Sequence, residues 1–183
     1  MSGISLNFKP RPAESEAEGV TAYVALGSNL GDRRATLTAA VRGLDRLPGT
    51  RVTAVSPAYE TAPVGPPGQG PYLNAAAAVT TTLSPTALLA ACQRLEREAG
   101  RPPEDQREPW GPRTLDLDLL LYGDAVRRDP AAEPDRPAIE LPHPRMHERW
   151  FVLRPLADIA PDALHPTSGR SVADLLAALE RDA

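Results

Sequence analysis

Residues 114–122 have the sequence TLDLDLLLY, and this stretch predicts a β-strand with one charged face and one apolar face. Alternate side chains of a strand point to the same side, so Asp116 and Asp118 would lie together, about 6.5–7 Å apart along the backbone. On a helix the same two carboxylates would diverge by about 200°. The intervening side chains would face the core of the protein: Leu115, Leu117 and Leu119.

Two carboxylates on one strand face indicate a site for divalent cations. Neighbouring carboxylates repel each other, and each raises the pKa of the other unless a cation lies between them. Mg²⁺ prefers oxygen ligands and usually takes one or two carboxylates together with substrate phosphates. Asp116 and Asp118 are therefore candidate metal ligands. A solvated strand face with ordinary acidic residues is the alternative interpretation of this pattern.

Arginines are concentrated in the two segments that flank the acidic strand. Arg101, Arg107 and Arg113 precede it, and Arg145 and Arg149 follow it. A guanidinium group can donate two parallel hydrogen bonds to phosphate oxygens. Arginines that converge on a pair of carboxylates therefore indicate a polyphosphate site, whereas each arginine taken singly is more typical of a protein surface.

Hydrophobic periodicity and turn residues predict the order of elements along the chain. Strands are expected at residues 20–27, 51–59, 72–83 and 114–122. Helices are expected from Asp32 to Pro48, from Ser84 to Gly100, near residues 146–156 and at residues 171–179. The order β-α-β-β-α-β is that of a split βαβ sandwich, with helices on one face of a largely antiparallel sheet.

The remaining segments are predicted to be irregular. Residues 1–19 are polar, contain proline and show no periodicity, so we expect a flexible extension. Residues 20–183 would then form a single domain. The segments 60–71, 101–112 and 124–142 are rich in proline and predict long loops.

Composition excludes several classes of protein. The chain has 183 residues and a single cysteine, which rules out an internal disulfide or a cysteine-cluster zinc site. A net charge of -4 argues against a general nucleic-acid-binding protein. Because no apolar run approaches the roughly 20 residues of a membrane span, a cytoplasmic protein without a membrane partner is expected. The sequence does not indicate an oligomer, and a monomer is the default expectation.

Two further motifs are less specific. Residues 25–32, ALGSNLGD, are similar to a phosphate-binding turn but lack the lysine of a Walker A loop, and a tight turn with a helix cap explains them equally well. Tyr72, Asn74 and Phe151 provide two aromatic rings and an amide, a combination that can bind a flat heterocycle.

Together these motifs resemble the 6-hydroxymethyl-7,8-dihydropterin pyrophosphokinase family. The resemblance extends from about residue 22 to residue 166, and its most specific parts are WGPRTLDLD at residues 110–118 and LPHPRM at residues 141–146. It implies a ferredoxin-like α+β two-layer sandwich with a mostly antiparallel sheet and long active-site loops. It also implies transfer of pyrophosphate from ATP to a pterin alcohol in folate biosynthesis, with release of AMP.

The resemblance also implies a role for each matching residue. Asp116 and Asp118 would hold two Mg²⁺ ions, and the catalytic set would be Arg101, Arg113, Asp116 and Asp118. The pterin would bind Thr61, Pro63, Val64, Gly65, Tyr72, Asn74 and Phe151. ATP, the co-substrate, would bind Gln93, Glu96, Arg107, Trp110, Arg113, His143 and Arg149.

The 101–112 loop departs from the family pattern. It is about two residues longer, and Pro109 stands where an arginine commonly precedes the tryptophan. Arg107 is a candidate substitute for that arginine, but the sequence leaves open which loop arginine closes over the triphosphate.

Two alternative functions remain at this point. A magnesium-dependent nucleotidyltransferase also pairs a Gly-Ser turn with an Asp-x-Asp strand, but there the two are close in sequence, whereas Ser28 and Asp116 are far apart. A non-catalytic ferredoxin-like binding module would require the carboxylate pair to be incidental.

Overall fold

The computed structural model describes residues 3–11, 19–102, 106, 111–131 and 137–182. Its strands are β1 (Val20–Ser28), β2 (Thr50–Val55), β3 (Tyr59–Thr61), β4 (Tyr72–Thr81), β5 (Asp116–Tyr122), β6 (Arg127–Asp129) and β7 (Ile139–Leu141). Its helices are α1 (Arg33–Asp45), α2 (Pro85–Glu98), α3 (Trp150–Ile159) and α4 (Val172–Arg181), with a short 3₁₀ turn at Met146–Glu148. None of the helices within the described ranges is long and apolar enough to cross a membrane.

The main sheet has the strand order β2-β4-β1-β5, and β3 also pairs with β4. All of these pairs are antiparallel. Because β4 lies between β1 and β2, the two strands of the β1-α1-β2 unit are separated by a strand that comes later in the chain. This topology confirms the predicted α+β ferredoxin-like fold.

Helices cover both faces of this sheet. α1 and α2 pack on one face through Leu37, Leu44 and Leu88. α3 and α4 pack on the other face, where Val152 and Leu175 surround side chains of the sheet. The sequence pattern placed all helices on one face, and it did so because periodicity shows that a helix has an apolar side without showing which surface that side covers.

The alanine run of β4 explains how one strand can serve both faces. Ala75 and Ala77 belong to the core beneath α1 and α2, whereas Ala76 belongs to the core beneath α3 and α4. Small side chains on a central strand let helices approach closely from both sides, and these alanines are at most 1% exposed.

The predicted helix caps are present. The Asp32 carboxylate accepts a hydrogen bond from the backbone N–H of Ala35 at 2.9 Å, and Ser84 caps α2 in the same way through Ala87. Gly49, which follows α1, has a φ of +66°, and a Cβ there would lie 2.2 Å from Thr82 Oγ1. Glycine is therefore required at this turn.

The predicted strand at residues 51–59 is interrupted. β2 ends at Val55 and β3 begins at Tyr59. Between them, Ser56 Oγ accepts a hydrogen bond from the backbone N–H of Ala76 at 2.8 Å, which keeps this edge attached to β4 without a continuous ladder. The described part of the predicted loop at residues 124–142 also contains the antiparallel strands β6 and β7. The sequence predicted a loop there because the segment is rich in proline.

Residues 3–11 pack against the domain. Ile4 forms an antiparallel bridge with Ala58, and Leu6 is only 3% exposed. The Arg11 guanidinium pairs with the Asp45 carboxylate at 2.8 Å. The expectation of a flexible extension is therefore wrong for these nine residues, because the buried Leu6, the partly buried Phe8 and the strand bridge at Ile4 anchor the segment. Residues 1–2 and 12–18 lie outside the described residues.

Candidate active site

Asp116 and Asp118 lie at the start of β5, on the same side of the sheet. They pair in register with Gly27 and Ala25 of β1. Leu117, between them, is 3% exposed and points into the core. The alternation predicted from the sequence is therefore present, and β5 presents both carboxylates to the same region.

Asp116 is held by two arginines. Its Oδ1 lies 2.9 Å from Arg101 Nη1, and its Oδ2 lies 2.7 Å from Arg113 Nη1. Arg101 Nη1 also contacts the Glu96 carboxylate. Because each carboxylate oxygen has two lone pairs, both oxygens of Asp116 retain the capacity to accept a further ligand.

Asp118 has weaker partners. Its Oδ2 lies 3.7 Å from Arg149 Nη1 and 3.8 Å from His143 Nε2. Burial by the surrounding protein and the charge of Asp116 raise the pKa of Asp118 to about 6. Burial and the nearby Arg149 lower the pKa of His143 to about 4, so the imidazole is neutral near pH 7 and forms no ion pair with Asp118.

Glu96 connects α2 to the acidic strand. Its Oε1 accepts a hydrogen bond from the backbone N–H of Leu117 at 2.7 Å and also pairs with Arg101. The residue is 2% exposed, and burial raises the pKa of its carboxyl group to about 7 even though Arg101 lowers it. The side chain therefore fixes the positions of β5 and Arg101.

A first cavity borders the carboxylates of Asp116 and Asp118. Tyr72 of β4 and Phe151 of α3 contribute aromatic rings, and the Arg149 guanidinium lies 5.8 Å from the centre of the Phe151 ring. The cavity is lined by Ala25, Leu26, Gly27, Thr61, Ala62, Val64, Tyr72, Asn74, Arg113, Asp116, Asp118, Arg149, Phe151 and Val152.

The polar groups of the first cavity are fixed by the sheet. The Asn74 side-chain amide donates a hydrogen bond to Thr61 Oγ1 at 2.8 Å, across the β3-β4 pair. A Cβ at Gly27 would lie only 3.3 Å from Asn74 Oδ1, so the glycine leaves room for that oxygen in the cavity wall. An amide oxygen beside two aromatic rings suits a flat ring with hydrogen-bonding edges.

A second cavity borders the same two carboxylates and is otherwise lined mostly by different residues. It is lined by Leu89, Gln93, Glu96, Arg101, Arg113, Asp116, Leu117, Asp118, His143 and Arg149. Arg101 Nε is buried and has no hydrogen-bond partner among the described residues. A buried guanidinium N–H that lacks an acceptor indicates a ligand with oxygen atoms.

The two cavities meet at four charged residues: Arg113, Asp116, Asp118 and Arg149. A ligand in either cavity would therefore contact the same carboxylates and guanidinium groups.

The structure places most of the predicted site residues along these cavities. Thr61, Val64, Tyr72, Asn74 and Phe151 line the first cavity, and Gln93, Glu96, Arg101 and His143 line the second. Pro63 and Gly65 are not among the lining residues of either cavity. Arg107 and Trp110 lie outside the described residues, so their predicted roles stay predictions.

Asn29 positions Arg113, although it is not among the lining residues of either cavity, and it was not identified from the sequence. It is 6% exposed, and its Oδ1 accepts a hydrogen bond from the backbone N–H of Arg113 at 2.7 Å. Its Nδ2 donates to Gln69 Oε1 at 3.1 Å and to the carbonyl oxygen of Gly70 at 3.4 Å. The signal was present in the ALGSNLGD turn, which was interpreted through its glycines rather than its amide.

Two adjoining cavities that share four charged residues indicate the class of protein. Carboxylates and arginines at the junction suit a phosphate-bearing donor, and the aromatic cavity suits a flat acceptor. The fold and site are those of a two-substrate transferase.

Comparison with known proteins identifies the family. A family model described as 7,8-dihydro-6-hydroxymethylpterin-pyrophosphokinase (HPPK) matches residues 23–161. The chain belongs to this family.

Curated relatives are similar over most of the chain. A 2-amino-4-hydroxy-6-hydroxymethyldihydropteridine pyrophosphokinase of Pseudomonas aeruginosa is 49% identical over 85% of this chain and 90% of its own length. A protein of the same name from Bacillus subtilis is 47% identical over 75% of this chain and 77% of its own length.

Solved structures share the fold. A crystal structure of an HPPK-DHPS chain in complex with substrates has a TM-score of 0.71 at 13% identity and covers 90% of this chain. The match spans 44% of that longer chain.

Proposed function

We propose that this protein transfers pyrophosphate from ATP to the hydroxymethyl group of 6-hydroxymethyl-7,8-dihydropterin and releases AMP. Membership of the HPPK family and the names of its relatives support this activity. The observation that carries the proposal is the junction of the two cavities at Asp116 and Asp118, because a donor and an acceptor bound on either side would meet there.

The first cavity is proposed to bind the pterin. Tyr72 and Phe151 would stack on the pterin ring. The Asn74 side chain, which Thr61 orients, would form hydrogen bonds with the amide-like edge of that ring. Pro63, Val64 and Gly65 belong to the turn that would close over the ring, where backbone contacts would suffice.

The second cavity is proposed to bind ATP. Arg101 offers a buried N–H that has no partner within the described part of the chain, and Arg113 and Arg149 place positive charge at the junction. His143, Gln93 and the predicted loop residues Arg107 and Trp110 would complete the nucleotide side. Neutral His143 would offer hydrogen bonds rather than charge.

The metal is proposed to be magnesium, as two ions held by Asp116 and Asp118. The donor set fits this ion, because both side chains present carboxylate oxygens and Asp118 has no charged partner nearer than 3.7 Å among the described residues. Across the residues that the structure describes, no group of three or more His, Cys, Asp and Glu side chains could hold a metal ion. Phosphate oxygens and water would therefore supply the ligands that Asp116 and Asp118 do not. When bound, the ions would neutralise charge that develops on the phosphoryl oxygens.

The side chains of the protein act mainly by positioning and by neutralising charge. The pterin hydroxyl oxygen forms a bond to the β-phosphorus of ATP and its proton is released to water. The bond from that phosphorus to the α-β bridging oxygen breaks, and AMP leaves with that oxygen. Arg101 and Arg113 would shift from Asp116 towards phosphate oxygens as the nucleotide binds. Such transfers require little covalent chemistry from the protein, because alignment of the reactants and electrostatic stabilisation dominate.

Product analysis tests the reaction. The purified protein is incubated with ATP, MgCl₂ and the pterin alcohol, and the products are followed by ³¹P NMR. We expect AMP and a pterin diphosphate ester in equal amounts, formed only when the pterin is present. Free pyrophosphate with a nucleotidylated acceptor would instead identify a nucleotidyltransferase.

Calorimetry tests the metal site separately. ATP binding is measured with and without MgCl₂ for the wild-type protein and for Asp118→Asn. We expect magnesium to tighten ATP binding to the wild-type protein by more than tenfold and to have a smaller effect on the variant. Equal ATP affinity with and without magnesium would contradict the metal site and favour a binding module.

A further inference from the structure

We infer that four side chains behind the first cavity, namely Tyr59, Trp150, Arg154 and Asp158, set the separation of its two walls and are positioning residues for the acceptor. We refer to them as the Tyr59 cluster. The inference rests on the proposed function, because it assigns the pterin to the first cavity.

The two walls of the first cavity come from different elements. One wall is formed by the end of β3 and the turn that follows, which contribute Thr61 and Val64. The other is formed by the first turn of α3, which contributes Phe151 and Val152. β3 is an edge strand of three residues, so its position depends on contacts beyond its ladder with β4.

Tyr59 connects these two elements directly. It lies on β3, two residues before Thr61, so both side chains leave the same face of the strand. Its hydroxyl donates a 2.6 Å hydrogen bond to Asp158 Oδ2 on α3. The residue is 7% exposed, and a phenol hydroxyl in such a place requires a partner.

The other members hold this contact in place. Arg154 pairs with the second carboxylate oxygen of Asp158, and its guanidinium carbon lies 5.9 Å from the centre of the Tyr59 ring. Trp150 meets the Tyr59 ring edge to face, with 6.0 Å between the ring centres. Trp150 stands between Arg149 and Phe151, so the residue that contacts Tyr59 is flanked by two residues of the cavity wall.

The cluster is also anchored from the C-terminal helix. Trp150 Nε1 donates a hydrogen bond to Glu180 Oε1 of α4 at 3.0 Å. Glu180 lies beyond the segment that the family model matches, which ends at residue 161. The start of α3 is thus held by β3 on one side and by α4 on the other, and displacement of Tyr59 would let the two cavity walls move apart.

Tyr59→Phe tests the inference because it removes only the hydroxyl group. Loss of the buried hydrogen bond that joins β3 to α3 is expected to let the two elements shift and to raise the KM for the pterin alcohol roughly fivefold. The kcat and the KM for ATP should stay within about twofold, since the junction and the second cavity are unchanged. Asp158→Asn, which removes the charge of the acceptor but keeps an oxygen, should produce a smaller increase in the same KM.

Tyr122→Phe is the matched control. Its hydroxyl donates a 2.7 Å hydrogen bond to the carbonyl oxygen of Leu83, at the far end of β5 from the carboxylates. The control should lose a similar amount of thermal stability as Tyr59→Phe but keep the wild-type KM for the pterin. Calorimetric titration of the pterin in the presence of a non-hydrolysable ATP analogue should show the same difference between the two variants.

Two results would overturn the inference: an unchanged KM for the pterin in both Tyr59→Phe and Asp158→Asn, or an equal increase in the Tyr122→Phe control. Failure of the proposed function gives a different result, because the wild-type protein would then form no AMP in response to the pterin.

Discussion

Replacing Glu96 by glutamine is expected to change how the stability of the protein depends on pH. Glu96 is almost completely buried and lies between the backbone N–H of Leu117 and the Arg101 guanidinium. Glutamine can still accept the hydrogen bond from Leu117 through its side-chain oxygen but carries no charge. The comparison therefore isolates the free energy of ionising a carboxyl group inside the protein.

The direction follows from the pKa of Glu96. Burial raises this pKa from 4.5 to about 7, so between these values the unfolded chain releases its proton before the folded protein does. The stability that the protonated group contributes is complete below pH 4.5 and is lost as the pH rises through 7. The difference between the two pKa values corresponds to about 3 kcal/mol when the loss is complete, of which about three-quarters falls between pH 5 and pH 8.

Urea unfolding at pH 5 and pH 8, without nucleotide or divalent cation, measures this effect. The free energy of unfolding of Glu96→Gln relative to that of the wild-type protein should increase by about 2–3 kcal/mol from pH 5 to pH 8. Glu98→Gln is the control, because Glu98 lies on the same helix with 63% of its side chain exposed. If the free energies of unfolding of the wild-type protein and Glu96→Gln change equally with pH, burial does not control the charge of Glu96. The raised pKa assigned to this residue would then be wrong.

Three further predictions concern other parts of the molecule. Leu6→Ala should lower the free energy of unfolding by about 2 kcal/mol, whereas a flexible segment would give no change in a urea titration. Asn29→Asp should raise the KM for the pterin more than the KM for ATP, because a carboxylate can still accept from Arg113 but cannot donate to Gly70, and equal effects in steady-state assays would argue against this. Cys92 should resist a thiol reagent such as DTNB until the protein is unfolded, since burial raises its pKa to about 12, and rapid reaction of the native protein would show that the thiol is accessible.

The sequence predicted the central sheet and the acidic strand because local patterns determine both. Alternation in residues 114–122 places Asp116 and Asp118 on one face wherever the strand is buried on the other, and leucines guarantee that burial. The caps at Asp32 and Ser84 depend on one side chain and a nearby backbone N–H, so they too can be read locally.

Features that depend on contacts between distant segments could not be predicted in this way. The alanines of β4 gave no sign that helices would cover both faces of the sheet, since small residues are compatible with several packings. Leu6 anchors an N-terminal segment through a surface formed elsewhere in the chain. The sequence predicted that arginines would lie near Asp116 but not that Arg101 and Arg113 would pair with it. Loop conformation decides which guanidinium group reaches the carboxylate.

A single-turnover experiment on Asp118→Asn tests whether pyrophosphoryl transfer depends on the carboxylates where the two cavities meet. Enzyme in excess over ATP is mixed with saturating pterin and MgCl₂ in a quench-flow apparatus, and AMP formation is followed, with the exposed Asp124→Asn as control. For Asp118→Asn, the transfer rate constant is expected to fall at least about a thousandfold. For Asp124→Asn it is expected to fall less than twofold, and both variants should keep the thermal stability of the wild-type protein. A rate constant for Asp118→Asn within tenfold of the wild-type value would show that transfer does not depend on the Asp118 carboxylate.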